Sequence, residues 1–237
     1  LIVVDTGSYF STFGQGVLLV LIQIGGLGIM TISVTLFQII GKKVFFQHRM
    51  AMQEVFSHTP REDIYALLRS IFLFTAVAEL AGVVILFFHW WSAHPALVAL
   101  KLALFHSVSS FCNAGFSLFE TSFVNESASW VLNGTIGGLI VFGGLEFPVV
   151  YELWRRLTHR SNRPRFSVQT KTVLITSGVL VGAGAIIFYI AEAGRLQPYD
   201  LSHRMLIAIF QSITCRTAGF NTIDIGSLTI AMLTLMM

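Results

Sequence analysis

Charge is scarce in this chain. Only 11% of its 237 residues are Asp, Glu, Lys or Arg, against about 25% in ordinary soluble domains, which excludes a water-exposed globule of this size. Cysteine is scarcer still, with Cys112 and Cys215 as the only two. They make neither a metal-ligand spacing nor a disulfide framework and are expected to be small buried residues. No signal peptide is legible, and the chain opens at Leu1 without Met or a charged leader. It closes on Leu235-Met236-Met237 within an apolar run, so it is expected to be a piece of a longer protein.

What is abundant is apolar. Hydrophobic residues make up 54%, 21 of them Phe, and mean hydropathy is +0.75. That composition belongs in a bilayer, where polar surface is costly. Long apolar runs cover 13–40, 71–88, 128–150 and 172–191, and another begins near Gly226. Each complete run approaches or exceeds the ~20 residues that cross about 30 Å of hydrocarbon.

The 15 basic residues are not spread evenly. Lys42, Lys43, Arg49, Arg61 and Arg69 fall in one loop, and Arg155, Arg156, Arg160, Arg163, Arg165 and Lys171 in another. Basic loops stay on the cytoplasmic side, and the spans flanking these two make nucleic acid a poor partner. Between them lies a shorter run, 96–111, which holds Lys101 and His106 and ends in Ser109-Ser110. If it crossed the membrane, the two basic loops would stand on opposite faces. If it dips in and returns, both remain inside, so parity predicts a re-entrant helix. Residues 202–213 repeat the arrangement. Start signals precede both short helices, Ser92 to Pro95 in one and Pro198 to Ser202 in the other.

The two re-entrant stretches also match in sequence. Phe105-His106-Ser107-Val108-Ser109 leads to Asn113-Ala114-Gly115-Phe116, and Phe210-Gln211-Ser212-Ile213-Thr214 leads to Thr217-Ala218-Gly219-Phe220. A single one-residue gap aligns them, and the glycines stand 104 positions apart. Glu120 and Asp224 follow at the same distance from their glycines, and Asp5 stands at the matching distance if the chain begins just after a first such glycine. Gly25-Gly26-Leu27-Gly28 is echoed 118 positions later by Gly143-Gly144-Leu145-Glu146. Internal repeats of this kind point to transporter or channel architecture.

A cation leaving water must replace its hydration shell, and backbone carbonyls around a narrow pore do this. Glycine permits the positive-φ backbone that turns successive carbonyls toward one axis. The bland alternative is a helix-loop-helix turn in which glycine merely ends a helix; two matched loops after helices too short to span favour ion selection.

At these residues the chain resembles the Trk/Ktr/HKT superfamily. Asn113-Ala114-Gly115-Phe116 resembles the second selectivity filter, Arg216-Thr217-Ala218-Gly219-Phe220-Asn221-Thr222 the third, and Leu1 to Asp5 the sequence leaving the first. His58-Thr59-Pro60-Arg61 and Phe166-Ser167-Val168-Gln169-Thr170-Lys171 are further matches, the latter closer to the Ktr branch. The resemblance implies an all-α membrane protein with repeated helix–re-entrant pore loop–helix units around a pseudo-four-fold pore. Its divisions would be the end of unit 1 (1–40), a cytoplasmic loop (41–69), unit 2 (70–154), a second cytoplasmic loop (155–171) and part of unit 3 (172–237). It further implies potassium uptake, with sodium as a possible stimulating ion, in the bacterial cytoplasmic (inner) membrane. Implied too are a homodimer, a cytoplasmic ring of nucleotide-binding regulatory subunits, no covalent cofactor, and a gating loop beyond residue 237. Glu146, where the family commonly has glycine, is a departure.

Individual side chains admit two readings. Asp5, Glu120 and Asp224 suit an outer vestibule that concentrates cations, and also suit helix N-caps, which are expected to account for most of their effect. Arg216 would repel potassium if it lined the filter, so it is expected to point behind it and pair with an acid or carbonyls. Glu79 and Glu146, inside spans, are expected to be buried hydrogen-bonding partners. His106 lacks a second ligand at i+4 spacing and is expected to be a capped pore-helix residue. Two rival functions stand beside transport: an intramembrane protease-like enzyme and a non-conducting structural subunit. The enzyme would need a nucleophile and base that meet, whereas His106 and Ser107, adjacent on a helix, diverge.

Overall fold

A computed structural model describes residues 4–28, 64–145, 149–150, 152–153, 156 and 166–236. All described regular structure is helical: α1 (Thr6–Tyr9), α2 (Thr12–Leu27), α3 (Ile64–Trp91), α4 (Ala96–Phe111), α5 (Trp130–Gly143), α6 (Val168–Ala191), α7 (Ala193–Leu196), α8 (Leu201–Thr217) and α9 (Ile230–Met236), with 3-10 turns at Val124–Glu126 and Ile225–Ser227. Most of the basic loop at 41–69, most of the basic cluster at 155–165, the His58–Arg61 motif, Glu146 and Leu1 lie outside the described residues.

Local chemistry sets the helix starts. Ser11, Ser129 and Ser167 accept hydrogen bonds from the backbone N–H of Gly14, Leu132 and Thr170, satisfying donors that a helix N-terminus leaves unpaired. The start signals predicted ahead of α4 and α8 work by backbone alone: Pro95 and Asp200 occupy the cap positions without a side-chain cap bond.

Two helices, Arg69–Trp91 within α3 and Val168–Ala191, are long and apolar enough to cross a membrane. α3 packs chiefly on α4, and α6 chiefly on α8. Both pairs use the same contact. Ser107 of α4 donates to the Glu79 carbonyl of α3 at 2.7 Å, and Ser212 of α8 donates to the Val181 carbonyl of α6 at 2.7 Å. Three residues on, Gly82 and Gly184 meet those same hydroxyls so closely that an added Cβ would overlap them.

α5 packs against α3, α4 and α8, and supplies Leu132, Ile136 and Ile140 to a core shared with Leu86, Trp90, Ala103, Phe123, Phe210 and Phe220. The run 128–150, expected to be one span, does not form one uninterrupted helix. α5 stops at Gly143 after 14 residues, about 21 Å at 1.5 Å per residue. Gly143 lies against the Phe111 carbonyl, where a Cβ would overlap, and the Gly144 N–H caps the helix on the Ile140 carbonyl at 2.9 Å. A close helix approach, not a loss of hydrophobicity, ends this helix. α2 likewise ends at Leu27, where Gly28 caps it in left-handed backbone at φ 80 with its N–H on the Gly25 carbonyl, and the rest of the 13–40 run lies outside the described residues.

Candidate functional site

The ends of α4 and α8 turn into two loops by the same backbone move. The Ala114 N–H bonds the Ser109 carbonyl at 2.8 Å, and the Ala218 and Gly219 N–H groups bond the Thr214 carbonyl at 2.9 and 3.2 Å. Left-handed backbone follows at Asn113 (φ 53), Gly115 (φ 73) and Gly219 (φ 86). Such values cost a side-chain-bearing residue energy and suit glycine. Asn113 tolerates it because its amide is used on all sides. Turned to satisfy its neighbours, its Nδ2 donates to Thr217 Oγ1 at 2.9 Å and to the Ile140 carbonyl at 3.3 Å, and its Oδ1 accepts from the Gly144 N–H at 3.1 Å.

The loops meet each other. A Cβ on Gly115 would fall on the Ala218 carbonyl oxygen and within 3.5 Å of the Gly219 Cα. Beyond the glycines the contact continues: the Phe123 N–H donates to the Asn221 carbonyl at 2.8 Å, the Asn221 N–H to Ser122 Oγ at 3.1 Å, and the Phe123 and Phe220 rings lie 5.2 Å apart.

A cavity of about 590 Å³ opens over this junction, lined by Gly115, Gly219, Asp5, Glu120 and Asp224 together with Ser117, Thr121, Ser122 and Asn221, among others. The sequence reading placed the three acids at an outer mouth and the two glycines in filter loops, and in the structure all five line one cavity. The remaining predicted filter residues, Asn113, Ala114, Phe116, Thr217, Ala218 and Phe220, are not in the cavity wall. Phe220 is buried in the core, Ala114 and Phe116 pack toward Ile22, Phe105 and Val108, and the Phe116 carbonyl accepts from Ser109 Oγ at 2.7 Å.

Among the described residues three carboxylates and no Lys or Arg line the cavity, so its field attracts cations. The two readings of the acids divide by residue. Asp5 caps α1, accepting from the Gly7 N–H at 3.0 Å and Ser8 Oγ at 2.8 Å, and Asp224 accepts from the Gly226 N–H at 3.0 Å. Glu120 is exposed and caps nothing. Asp5 and Asp224 therefore make cap bonds while lining the cavity.

Two expectations fail, and a third is met only in part. Arg216 is exposed and forms no ion pair with a described residue, because α8 carries it past the packed face. Cys215, beside it, is exposed and not buried. Glu79 is only half satisfied: it shares a hydrogen bond with Gln23, while its Oε1 has no partner among the described residues. Sequence reasoning also missed the Ser122–Asn221 link and the bonds of His106. His106 faces the Leu102 carbonyl and Ser117, whereas Ser107 Oγ is turned to Glu79, so the two form no nucleophile–base pair. The available signal was a polar residue in the same place of two matching helices.

Known proteins match throughout. The family model described as TrkH, cation transport protein, covers residues 1–237. The chain is 34% identical to Ktr system potassium uptake protein B of Vibrio alginolyticus over 232 residues, 96% of this chain and 50% of that protein. Its likeness to the protein of the same name from Bacillus subtilis is also 34%, over 231 residues, 96% of this chain and 51% of that one. The potassium/sodium uptake protein NtpJ of Enterococcus hirae is 31% identical over 222 residues, 93% of this chain and 48% of that protein. The chain thus spans about half the length of the curated relatives it matches. None of these is named as an enzyme. The full-length family match and three transport relatives above 30% identity fit the helical architecture and the acid-lined cavity, and the chain belongs to the TrkH family of cation transport proteins.

Proposed function

We propose that this chain supplies part of a potassium uptake pore in which the loops at Asn113–Phe116 and Thr217–Phe220 act as second and third selectivity filters. The observation that carries the reading is the meeting of the Gly115 and Gly219 loops, both in left-handed backbone, at the floor of one cavity. Their carbonyls replace the water of a dehydrating cation, while Asp5, Glu120 and Asp224 raise its local concentration. Potassium as the cargo rests on what the relatives are named for; NtpJ, named for potassium and sodium, keeps sodium as a second candidate ion. α4 and α8 are re-entrant pore helices, α4 being about 24 Å long at its 16 residues, too short for about 30 Å of hydrocarbon. The units repeat around a pseudo-four-fold axis, and the matching Ser107–Glu79 and Ser212–Val181 bonds support that repeat.

In this reading the intact protein is a homodimer in the bacterial inner membrane, gated by a cytoplasmic nucleotide-binding ring and stimulated by sodium. The test is uptake of potassium against sodium by the intact transporter in proteoliposomes. Gly115→Ser and Gly219→Ser should both lower discrimination; unchanged discrimination in both removes the filter assignment.

A further inference from the structure

Phe105-His106-Ser107 and Phe210-Gln211-Ser212 align in the internal repeat, so His106 and Gln211 hold equivalent places. Both side chains are 0% exposed, and each reaches across its own loop to the chain just past the filter glycine. His106 Nε2 lies 3.2 Å from the Leu118 N–H and 3.1 Å from Ser117 Oγ. Gln211 Nε2 donates to Thr222 Oγ1 at 3.2 Å. With the one-residue gap of the repeat, Leu118 and Thr222 are equivalent positions, so the two side chains reach the same place in each unit, His106 accepting from the Leu118 backbone N–H and Gln211 donating to the Thr222 hydroxyl.

The partners of His106 assign its state. The Leu102 carbonyl, 2.8 Å from Nδ1, can only accept, so Nδ1 carries the hydrogen. The Leu118 N–H can only donate, so Nε2 is the bare acceptor. Ser117 Oγ accepts from the Phe119 N–H at 3.0 Å, which leaves its own hydrogen for Nε2. One neutral tautomer satisfies every group. Its ring is held flat by Phe119, stacked at 5.0 Å and 15°, with Trp90 and Phe123 each at 5.2 Å.

We infer that His106 and Gln211 are positioning residues for selectivity: each ties the buried pore helix to the segment leaving its filter, His106 at the Leu118 backbone and Gln211 at the Thr222 side chain, and so fixes where the Gly115 and Gly219 carbonyls stand. The inference rests on the filter reading above. The tie closes each loop at its outer end, while the Ser109 and Thr214 carbonyls close the inner end. A carbonyl cage discriminates between ions only as well as its oxygens are held, and buried polar networks hold their members when every partner is satisfied. The ties are unequal. Loop two has the His106 bonds and the Ser109–Phe116 bond, whereas Gln211 Oε1 and Thr214 Oγ1 are buried without a partner among the described residues. His106 therefore carries more of the positioning than Gln211.

The repeat supplies its own rescue, since each unit uses the other's solution. In the intact transporter, His106→Leu keeps a bulky core group and deletes the tie, whereas His106→Gln installs the side chain of the equivalent position. Potassium and sodium uptake are measured in proteoliposomes at matched membrane abundance. Groups that orient an ion's ligands typically carry about 10–100-fold of affinity or activity, so H106L should lower the potassium-to-sodium ratio by about tenfold and H106Q by no more than about threefold. Gln211→Leu and Gln211→His should follow the same order with a smaller span. A leucine variant that keeps the ratio, or a polar exchange that loses as much as leucine, overturns the inference. If neither leucine variant reaches the membrane, H106Q decides alone: a ratio within about threefold supports the tie, and a larger loss refutes it. Gly115→Ala run alongside separates the two levels. If it too leaves the ratio unchanged, the filter reading has failed; if it alone changes the ratio, only the tie has.

Discussion

Gly115 and Gly219 occupy equivalent positions, yet substitution should hurt them unequally. An L side chain in left-handed backbone costs roughly 1–2 kcal/mol, and both glycines carry that penalty, at φ 73 and φ 86. Only Gly115 adds a collision. Its Cβ would land on the Ala218 carbonyl oxygen, whereas nothing lies within 4 Å of a Cβ on Gly219. Ala218 cannot retreat freely, because it is buried and its N–H holds the Thr214 carbonyl at 2.9 Å. Overpacking of this kind costs typically about 1–3 kcal/mol, so Gly115→Ala should total roughly 2–5 kcal/mol and Gly219→Ala roughly 1–2. Each ~1.4 kcal/mol lost from potassium relative to sodium lowers the selectivity ratio about tenfold. If strain at the floor is transmitted to the bound ion, G115A should fall by about tenfold or more and G219A by less. Competitive uptake of potassium and sodium by the intact transporter in proteoliposomes reads this directly. A G219A variant impaired more than G115A, or a G115A ratio unchanged, would refute the argument from the Ala218 contact.

Other expectations follow from single contacts. Glu120→Gln should reduce potassium uptake at low salt and little at high salt, because an exposed carboxylate acts through a field screened over about 10 Å at 0.1 M; equal loss at both salts would show that Glu120 acts by contact. Asp224→Ala should add a stability loss of about 1 kcal/mol from the deleted cap, seen as a lower melting temperature that Glu120→Gln does not share. Gly82→Ala and Ser107→Ala should be strongly non-additive, since the new methyl meets the hydroxyl that serine removal deletes; additive melting shifts would contradict the contact. Past the end of the 128–150 run, partial burial raises the Glu152 pKa, but bonds from Thr170 and Ser167 and the charge of Arg156 outweigh it and leave the carboxyl below its ordinary 4.5. A depressed carboxylate contributes stability above its unfolded pKa and loses it as pH falls through the folded one. Exchange protection of the Ser167 amide, 2.6 Å from Glu152 Oε1, should therefore hold above pH 4.5 and fall below it. In Glu152→Gln that pH dependence should vanish.

The helices were legible wherever hydropathy changes at the chain's own breaks. The predicted short helix 96–111 coincides with α4, Ala96–Phe111, because Pro95 opens it and the Cys112–Gly115 turn closes it. The meeting of the acids was legible through repetition: three acids at equal distances from glycine positions line one cavity. What stayed hidden is non-local. Nothing in the apolar run 128–150 announces that Gly143 must lie on the Phe111 carbonyl, so the end of α5 is invisible to hydropathy. The exposure of Arg216 depends on which face of α8 packs on α6 and α5, and a periodicity cannot name its neighbour. His106 looked like a capped helix residue because its partners, Ser117 and Leu118, stand beyond a turn whose path only coordinates supply.

The unequal fastening of the two loops has an evolutionary consequence. In an assembly of identical subunits every substitution arrives in all copies at once, and a modest fault at the axis is multiplied. Here His106 and Gln211 are separate codons, and each bonds the chain past its own loop glycine with a different side chain. A substitution at one of them leaves the other's bond intact, so a lineage can loosen the two loops one at a time, in small steps, without passing through a form in which both are broken.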